Sequence, residues 1–595
     1  MQGRRERGRP GLDVHRGART MTYEQGPLRT PDGGARTAPA GTHATGPPAR
    51  NDRGRWAWPR RHRRPLLLSA VCVLLMQMAF AMVTTALEQS PTIDEPVYVG
   101  TSVVYVREHS LRFNPEHPPL GKLIIATGTV FAHPRLDPGF QGDQGRLGRR
   151  LLYESGNDPW RVMFWARLPV MVVTLLFGLV VFGFARDLLG SAGGLAALAL
   201  YAFSPDLITN GALATLDVPA AGFVVTAAWM LWRARRRPLL YLPLAGVASG
   251  AAVATKMSTL PAVPVLLVLT GWSYWQARGD AMPRSRRATH SLVAAVGVAL
   301  VLVGVVWATY LVVDPRLRWA TPANVPAVHG LRALLLDWLP FPDAYGDGMR
   351  IQFGFESATW HGYLFGRLYS GSLWYYLPAA LLVKTPLGML ALWCGGALAM
   401  AAVPRLRSAV PYVLLLPAVL LAAAMQGSRD LGVRYALFVP MFLAVAAAGV
   451  LALRRRWAYA VTAALVGCVA VSSLRTYPYY LPYSNEAFGG PSATHLRLHD
   501  SNVDWGQDLG RLAARLRERY PHDKDVWLVY KGSGVPSWYG IHGHDPLKVP
   551  PSRVHGLLVV SDTSIAKAEG RLAQLLSGSR AIDDVGHSIT IFRRP

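Results

Sequence analysis

Asp94 and Glu95 stand side by side in Pro91-Thr92-Ile93-Asp94-Glu95-Pro96, directly after a long apolar run. Carboxylates this close to hydrocarbon are expensive unless they are paired or used. The same acids also suit the first turn of a helix over Val97 to Glu108 lying in the membrane interface, where they complement the dipole. Further along, Asn114-Pro115-Glu116-His117-Pro118-Pro119-Leu120-Gly121-Lys122 holds a titratable pair and a lysine between prolines that restrict the backbone. His117 and Lys122 are ready donors to a phosphate. The bland reading is a Pro-rich turn before Leu123 to Phe131, a reentrant or interfacial segment too short to span. A third acid, Asp217 in Leu216-Asp217-Val218-Pro219, precedes another apolar run, where it reads equally well as a helix N-terminal acid.

Cations gather at the same membrane boundary. They are Arg161, Arg167, Lys256, Lys384, Arg429 and Arg434. Snorkelling explains any one of them, but several on a non-cytoplasmic face run against the positive-inside trend. An outward-facing anionic lipid headgroup would explain them together. Asp504-Trp505-Gly506-Gln507-Asp508 reads as a helix start with Asp504 as N-cap, or as an acceptor contact through Trp505 and Gln507.

The elements that position these groups follow from composition. At roughly 150 residues per domain, 595 residues predict about four soluble domains. Hydrophobic residues make up 51%, charged residues 16%, and mean hydropathy is +0.21, which is too apolar for that; much of the chain belongs in lipid. Runs near 66–87, 167–186, 192–207, 218–234, 240–257, 260–276, 290–313, 376–401, 409–425, 433–452 and 457–474 predict eleven spans, the first a signal anchor. Basic clusters at Arg60 to Arg64, Arg233 to Arg237, Arg284 to Arg287, Arg405 to Arg407 and Arg454 to Arg456 fall on one side of that topology. The amino terminus is then cytoplasmic and the carboxyl terminus outside.

Three long segments are predicted outside: 88–166, 314–375 and 476–595. The last reads as a small α/β unit, with helices near 505–519 and 564–577 and strands at 525–530, 556–561 and 588–593. Residues 1–65 carry 15 arginines and five acids in a Pro/Gly/Ala-rich tail, predicted to be disordered, and Met21 is an alternative start. Because the net charge of +26 is divided between this tail and loop clusters, it does not point to nucleic acid. Cys72, Cys394 and Cys468 each lie inside an apolar run, so neither a disulfide framework nor a cysteine metal site is expected.

In order and common sidedness, these residues resemble the bacterial branch of the protein O-mannosyltransferase superfamily, which includes the aminoarabinose transferases of lipid A. The resemblance is carried by Asp94-Glu95, His117 to Lys122, Leu216 to Pro219, Trp374-Tyr375-Tyr376 with Lys384-Thr385-Pro386, Gly432-Val433-Arg434-Tyr435, and Tyr483 to Glu486 through Asp500 to Leu509. It covers about residues 66 to 510 and implies a polytopic α-helical membrane protein of the C-type glycosyltransferase fold. No β-trefoil-like insertion is visible in 314–375. The implied partners are a polyprenyl-phosphate-sugar donor, membrane lipids and an acceptor that is a protein Ser/Thr, a cell-wall glycan or a glycolipid.

The implied reaction assigns the base to Asp94, with Glu95 orienting the acceptor or the anomeric region. Lys122, Arg167 and Arg434 would stabilise the leaving phosphate, with His117, Arg161, Lys256 and Lys384 in support. Asp217 would pair with a cation or tune Asp94 by like-charge repulsion. Trp374, Tyr375, Tyr376, Tyr477, Tyr479 and Tyr480 are candidates to line a polyprenyl groove, although aromatic belts are ordinary at this depth. No cofactor is required, and a divalent metal on Glu116 and His117 is an open alternative lacking an obvious third ligand. The competing class is a secondary transporter or lipid flippase, which commonly shows an internal repeat; none is found here.

Overall fold

The computed structural model describes residues 63–279, 282–523 and 525–595. Most of the predicted tail therefore lies outside the described residues. From α1 (Arg63–Glu88) the chain runs through α2 (Glu95–Arg107), α3 (Pro119–Ala132), α4 (Gln144–Arg149), α5 (Pro159–Ala202), α6 (Pro205–Gly211), α7 (Asp217–Ala234), α8 (Pro238–Thr255), α9 (Ala262–Arg278) and α10 (Arg284–Val313). Next come α11 (Leu331–Trp338), α12 (Asp343–Ser357) and a hairpin, β1 (His361–Leu364) with β2 (Arg367–Ser370). The helical part ends with α13 (Tyr376–Lys384), α14 (Leu387–Ala402), α15 (Pro404–Arg407), α16 (Leu416–Ala424), α17 (Phe438–Ala447) and α18 (Arg456–Thr476).

Among the described residues, five helices are long and apolar enough to cross a membrane: those over 64–88, 159–202, 238–255, 284–313 and 456–476. The pair α13 and α14, bent by 119° between Lys384 and Leu387, makes a sixth if it counts as one span. The other predicted runs fold as helices that fail this test, so eleven independent crossings do not follow from helix length. The runs 167–186 and 192–207 join in one 44-residue stretch, α5, broken at Gly190, whose φ of +78° is accessible to glycine at little cost. The predicted interfacial helix after Asp94 is instead packed in: Tyr98, Val99, Val103, Val104 and Tyr105 of α2 are all buried.

The carboxyl-terminal residues contribute α19 (Leu509–Arg519), β3 (Val526–Val529), β4 (Gly543–His544), β5 (Gly556–Ser561), α20 (Asp562–Ala566), α21 (Gly570–Ser577), β6 (Arg580–Val585) and β7 (Ile589–Arg594). Sheet order is β4-β3-β5-β7-β6, with β3 parallel to β4 and β5 and the other pairs antiparallel. Strand β5 is apolar from Leu557 to Val560 because it is covered on both faces. Leu557 and Val559 pack with Leu509 and Leu512 of α19, while Leu558 and Val560 pack with Leu572 and Leu575 of α21. The predicted helix over 564–577 is two helices, and strands β4 and β6 were not read from sequence. Helix α19 begins at Leu509, so Asp504 is not its N-cap; its carboxylate accepts from the Gly506 amide at 3.1 Å.

Candidate active site

The chain leaving α1 is clamped before it reaches Asp94. The Ser90 amide donates to the Gln507 carbonyl at 2.9 Å, and the Ile93 amide to the Trp505 carbonyl at 3.0 Å. Gln507 is itself fixed, accepting from the Trp505 amide at 2.8 Å and donating to Val503 at 3.1 Å. Buried Trp505 packs with Ile93, Leu213 and Leu481. The Asp504 to Asp508 stretch thus anchors the loop that carries the acids.

Glu95 and Arg167 form a closed pair. Both side chains are 0% exposed, and Arg167 Nε and Nη2 each reach a Glu95 carboxylate oxygen at 2.7 Å. Glu95 also accepts from the amides of Thr92 at 2.9 Å and Ala214 at 2.8 Å. Arg167 spends its other donors on the carbonyls of Ala86, Gln89 and Ser90. Burial alone would raise the Glu95 pKa, but Arg167 and the two amides hold it below the usual carboxylate range.

Lys122 and Lys384 are engaged in the same way. Lys122 Nζ donates to Asn114 O at 2.7 Å, Asn114 Oδ1 at 3.2 Å and His117 O at 2.7 Å, which braces the Pro-rich loop. Lys384 Nζ donates to Leu481 O at 2.5 Å and Asn502 O at 3.1 Å, with Asp206 at 3.5 Å. Arg161 is exposed.

A different set of charges lies together. Arg434, in a 3-10 turn over Val433–Ala436, pairs with Asp94 at 2.5 Å; Asp94 remains 27% exposed and Arg434 9%. Lys256, at the end of α8, pairs with Asp217, at the start of α7. Tyr435 links the two pairs, because Arg434 and Lys256 each lie 5.1 Å from its ring centroid. The Arg434 guanidinium also rests 4.3 Å from the Trp505 ring centroid. Two polar atoms in this set are buried without a hydrogen-bond partner: Arg434 Nε and His117 Nδ1. Burial, together with the charges of Lys256, Lys122, Arg429 and Arg434, drives the His117 pKa well below its ordinary value, so the ring is neutral near pH 7.

Tyr98 was missed in the sequence. Its ring meets His117 edge-on at 5.7 Å, and its hydroxyl is electrostatically coupled to Asp94, Asp217 and Arg434. Its position four residues after Asp94, on the same helix face, was the available signal. Tyr435 was read only as part of a motif, and nothing local distinguished it.

Glu116 Oε1 accepts from Gln144 at 2.6 Å, and among the described residues no three His, Cys, Asp or Glu side chains gather to hold an ion. Of the aromatic candidates, Trp374 and Tyr375 are exposed, whereas Tyr376 and Tyr480 are fully buried. Tyr376 accepts from Asn502 Nδ2 at 2.9 Å.

The fold compares with two crystal structures of ArnT from Cupriavidus metallidurans. The form bound to undecaprenyl phosphate is 14% identical, with 90% of this chain and 98% of that chain covered and a TM-score of 0.43. The apo form is 16% identical, with 88% and 97% covered and a TM-score of 0.44. The Saccharomyces cerevisiae Pmt1–Pmt2 complex bound to its sugar donor is 19% identical over 41% of this chain and 33% of that one, with a TM-score of 0.31. These similarities are too low to carry residue roles. No curated protein sequence matches the chain significantly. The family profile described as dolichyl-phosphate-mannose-protein mannosyltransferase matches residues 71–314, the stretch that holds Asp94, His117, Asp217 and Lys256. That match over residues 71–314 is in keeping with the resemblance read from the motifs.

Proposed function

We propose that this protein is an integral-membrane, inverting glycosyltransferase that moves a sugar from a polyprenyl-phosphate donor to an acceptor hydroxyl on the extracytoplasmic face. The observation that carries the reading is the meeting of the Asp94–Arg434 and Asp217–Lys256 pairs around Tyr435, with Arg434 Nε and neutral His117 left unpartnered beside them.

In this reading the two pairs exchange partners when the donor arrives. The lipid phosphate draws Arg434 and Lys256 toward itself, and its oxygens accept from Arg434 Nε and the His117 ring. Asp94 is thereby freed to accept the proton of the acceptor hydroxyl. The hydroxyl oxygen bonds to the anomeric carbon as the bond to the phosphate oxygen breaks, and the polyprenyl phosphate leaves with the electron pair. One base and one anionic leaving group make a single displacement, so the anomeric configuration inverts. Fixed cations in a partly dry cleft stabilise the charge that builds on the phosphate. Glu95, Arg167, Lys122 and Lys384 act as scaffold, because their hydrogen-bonding capacity is committed to the protein.

The basic clusters support eleven crossings with the amino terminus cytoplasmic, and the cleft, the 314–375 segment and residues 476–595 outside a plasma membrane. The reading is tested with a labelled polyprenyl-phosphate sugar and purified protein. Transfer in the wild type and its loss in Asp94→Asn are expected. Full-rate transfer by Asp94→Asn would overturn the base assignment, and failure of the wild type to consume any such donor would overturn the activity.

A further inference from the structure

The segment that follows β3 reaches the loop before Asp94, with Ser533 Oγ donating to the Thr92 carbonyl and the Tyr530 hydroxyl to the Gly506 carbonyl, each at 2.8 Å, and in open sheets the crevice at the carboxyl ends of parallel strands such as β3 and β5 is a ligand position. Lys531 lies just beyond β3, and its amide donates to Ser561 Oγ at the end of β5 at 3.0 Å. Lys567 directly follows α20, the helix that leaves β5. Across these ends lies the segment from Arg497 to Asp500, tied down by the Asp500 amide on Thr563 Oγ1 at 2.9 Å and by the ion pair of Asp500 with Lys531.

Charged acids are fewer here than cations. Lys531 pairs with Asp500 and also faces Asp504, which burial keeps protonated, while Asp562 turns to Thr590 and His495; Lys567 stands near Lys531 and Asp500, Arg497 lies by Tyr363, and among the described residues Arg497 and Lys567 have no ion pair. Arg497 Nε is buried without a hydrogen-bond partner. His499 is 0% exposed, and neither ring nitrogen makes a hydrogen bond of good geometry, the Asp430 backbone lying at the margin. Burial keeps that ring neutral, with its pKa pushed down to about 3, so it offers one N–H. Tyr363 stands edge-on to it at 6.3 Å. Burial and the neighbouring Lys531 push Lys567 down to about 8, a repulsion that a bound anion would relieve. Two residues beyond Asp500, Asn502 Oδ1 accepts from the Val433 amide at 3.0 Å, immediately before Arg434. The cationic cluster is thus the neighbour of the proposed transfer centre.

We propose that the carboxyl ends of β3 and β5, with Arg497, His499, Lys531 and Lys567, form a binding site for a phosphate or carboxylate carried by a sugar acceptor. The inference rests on the transferase reading for the word acceptor, but the anion site stands without it. An aromatic ring beside several cations suits a charged sugar better than a bare ion.

The test is calorimetry on the full chain in phosphatidylcholine nanodiscs, with glucose 6-phosphate and glucose as probes. Glucose 6-phosphate is expected to bind about tenfold more tightly than glucose. Lys567→Gln and Arg497→Gln should each weaken it about threefold, and the double variant about tenfold, with unchanged melting temperature. Equal affinity for both probes, or undiminished phosphosugar binding in the folded double variant, overturns the site; binding at the proposed donor cleft would survive those substitutions. Loss of phosphosugar binding when phosphatidylglycerol replaces phosphatidylcholine makes the occupant a lipid headgroup and overturns the acceptor assignment. Donor turnover on the same preparation separates the two readings. Phosphosugar binding without turnover sinks the transferase alone, and turnover without the preference sinks the anion site alone.

Discussion

Asp94 and Glu95 are sequence neighbours in opposite environments. Asp94 keeps 27% of its side chain exposed and has one cation, whereas Glu95 is fully enclosed by Arg167 and two amides. Their substitutions should therefore fail differently. Asp94→Asn should lower kcat about 10²- to 10⁴-fold with little change in melting temperature, as expected for loss of a base; an unchanged rate counts against that role. Glu95→Gln should instead destabilise by about 3–5 kcal/mol, because it leaves Arg167 buried without its counter-charge. Glu95→Met combined with Arg167→Met should recover much of that loss in thermal unfolding. If the double variant is no more stable than Glu95→Gln, the pair is more than a staple. The acids themselves were legible in the sequence from their place after an apolar run. Which of the two stays free was not, because that depends on Arg167, 72 residues away from Glu95.

Helix α12 packs onto the loop that carries His117. Gly348 presses so closely that a Cβ there would stand 2.0 Å from the Pro115 carbonyl oxygen. Gln352, one turn on, donates to the Glu116 carbonyl at 2.9 Å and accepts from Arg429 at 2.7 Å. Gly348→Ala should push α12 off the loop, costing about 1–3 kcal/mol by overpacking. Transfer activity should fall about tenfold or more as His117 shifts, since small misplacements at a reacting centre carry large rate costs. Unaltered transfer in a destabilised Gly348→Ala would show that loop placement is not critical. The helical pieces were largely legible as apolar runs; the break at Gly190 and the 119° bend before Leu387 were not, because hydropathy reports burial and not direction.

At the scale of the whole molecule, Asp504 sits at the seam between the helical part and the carboxyl-terminal sheet. Its carboxylate accepts from Gly506 at 3.1 Å and lies 3.4 Å from the Thr563 amide. Burial pushes its pKa up to about 8, so the folded protein holds a proton there that an unfolded carboxyl releases near 3.8. A raised folded pKa gives stability that is full below the unfolded value and is lost as pH rises through the folded one. Between pH 5 and 7.5 the wild type should lose up to about 1.4 kcal/mol per pH unit relative to Asp504→Asn. Melting temperatures that run parallel with pH for the two proteins would remove Asp504 from this role.

Composition by itself determined that this chain belongs in lipid, and motif order pointed to the family whose profile matches residues 71–314, because burying apolar side chains and keeping a few charges at a boundary are local properties of residue type. Only the tertiary structure decided which charges are spent. Arg167, Lys122 and Lys384 look in sequence like Arg434 and Lys256, yet the first three are enclosed by carbonyls and carboxylates drawn from distant segments. A cation is available to a ligand only where the fold leaves its donors unfilled, and that depends on long-range packing, which spacing along the chain does not encode.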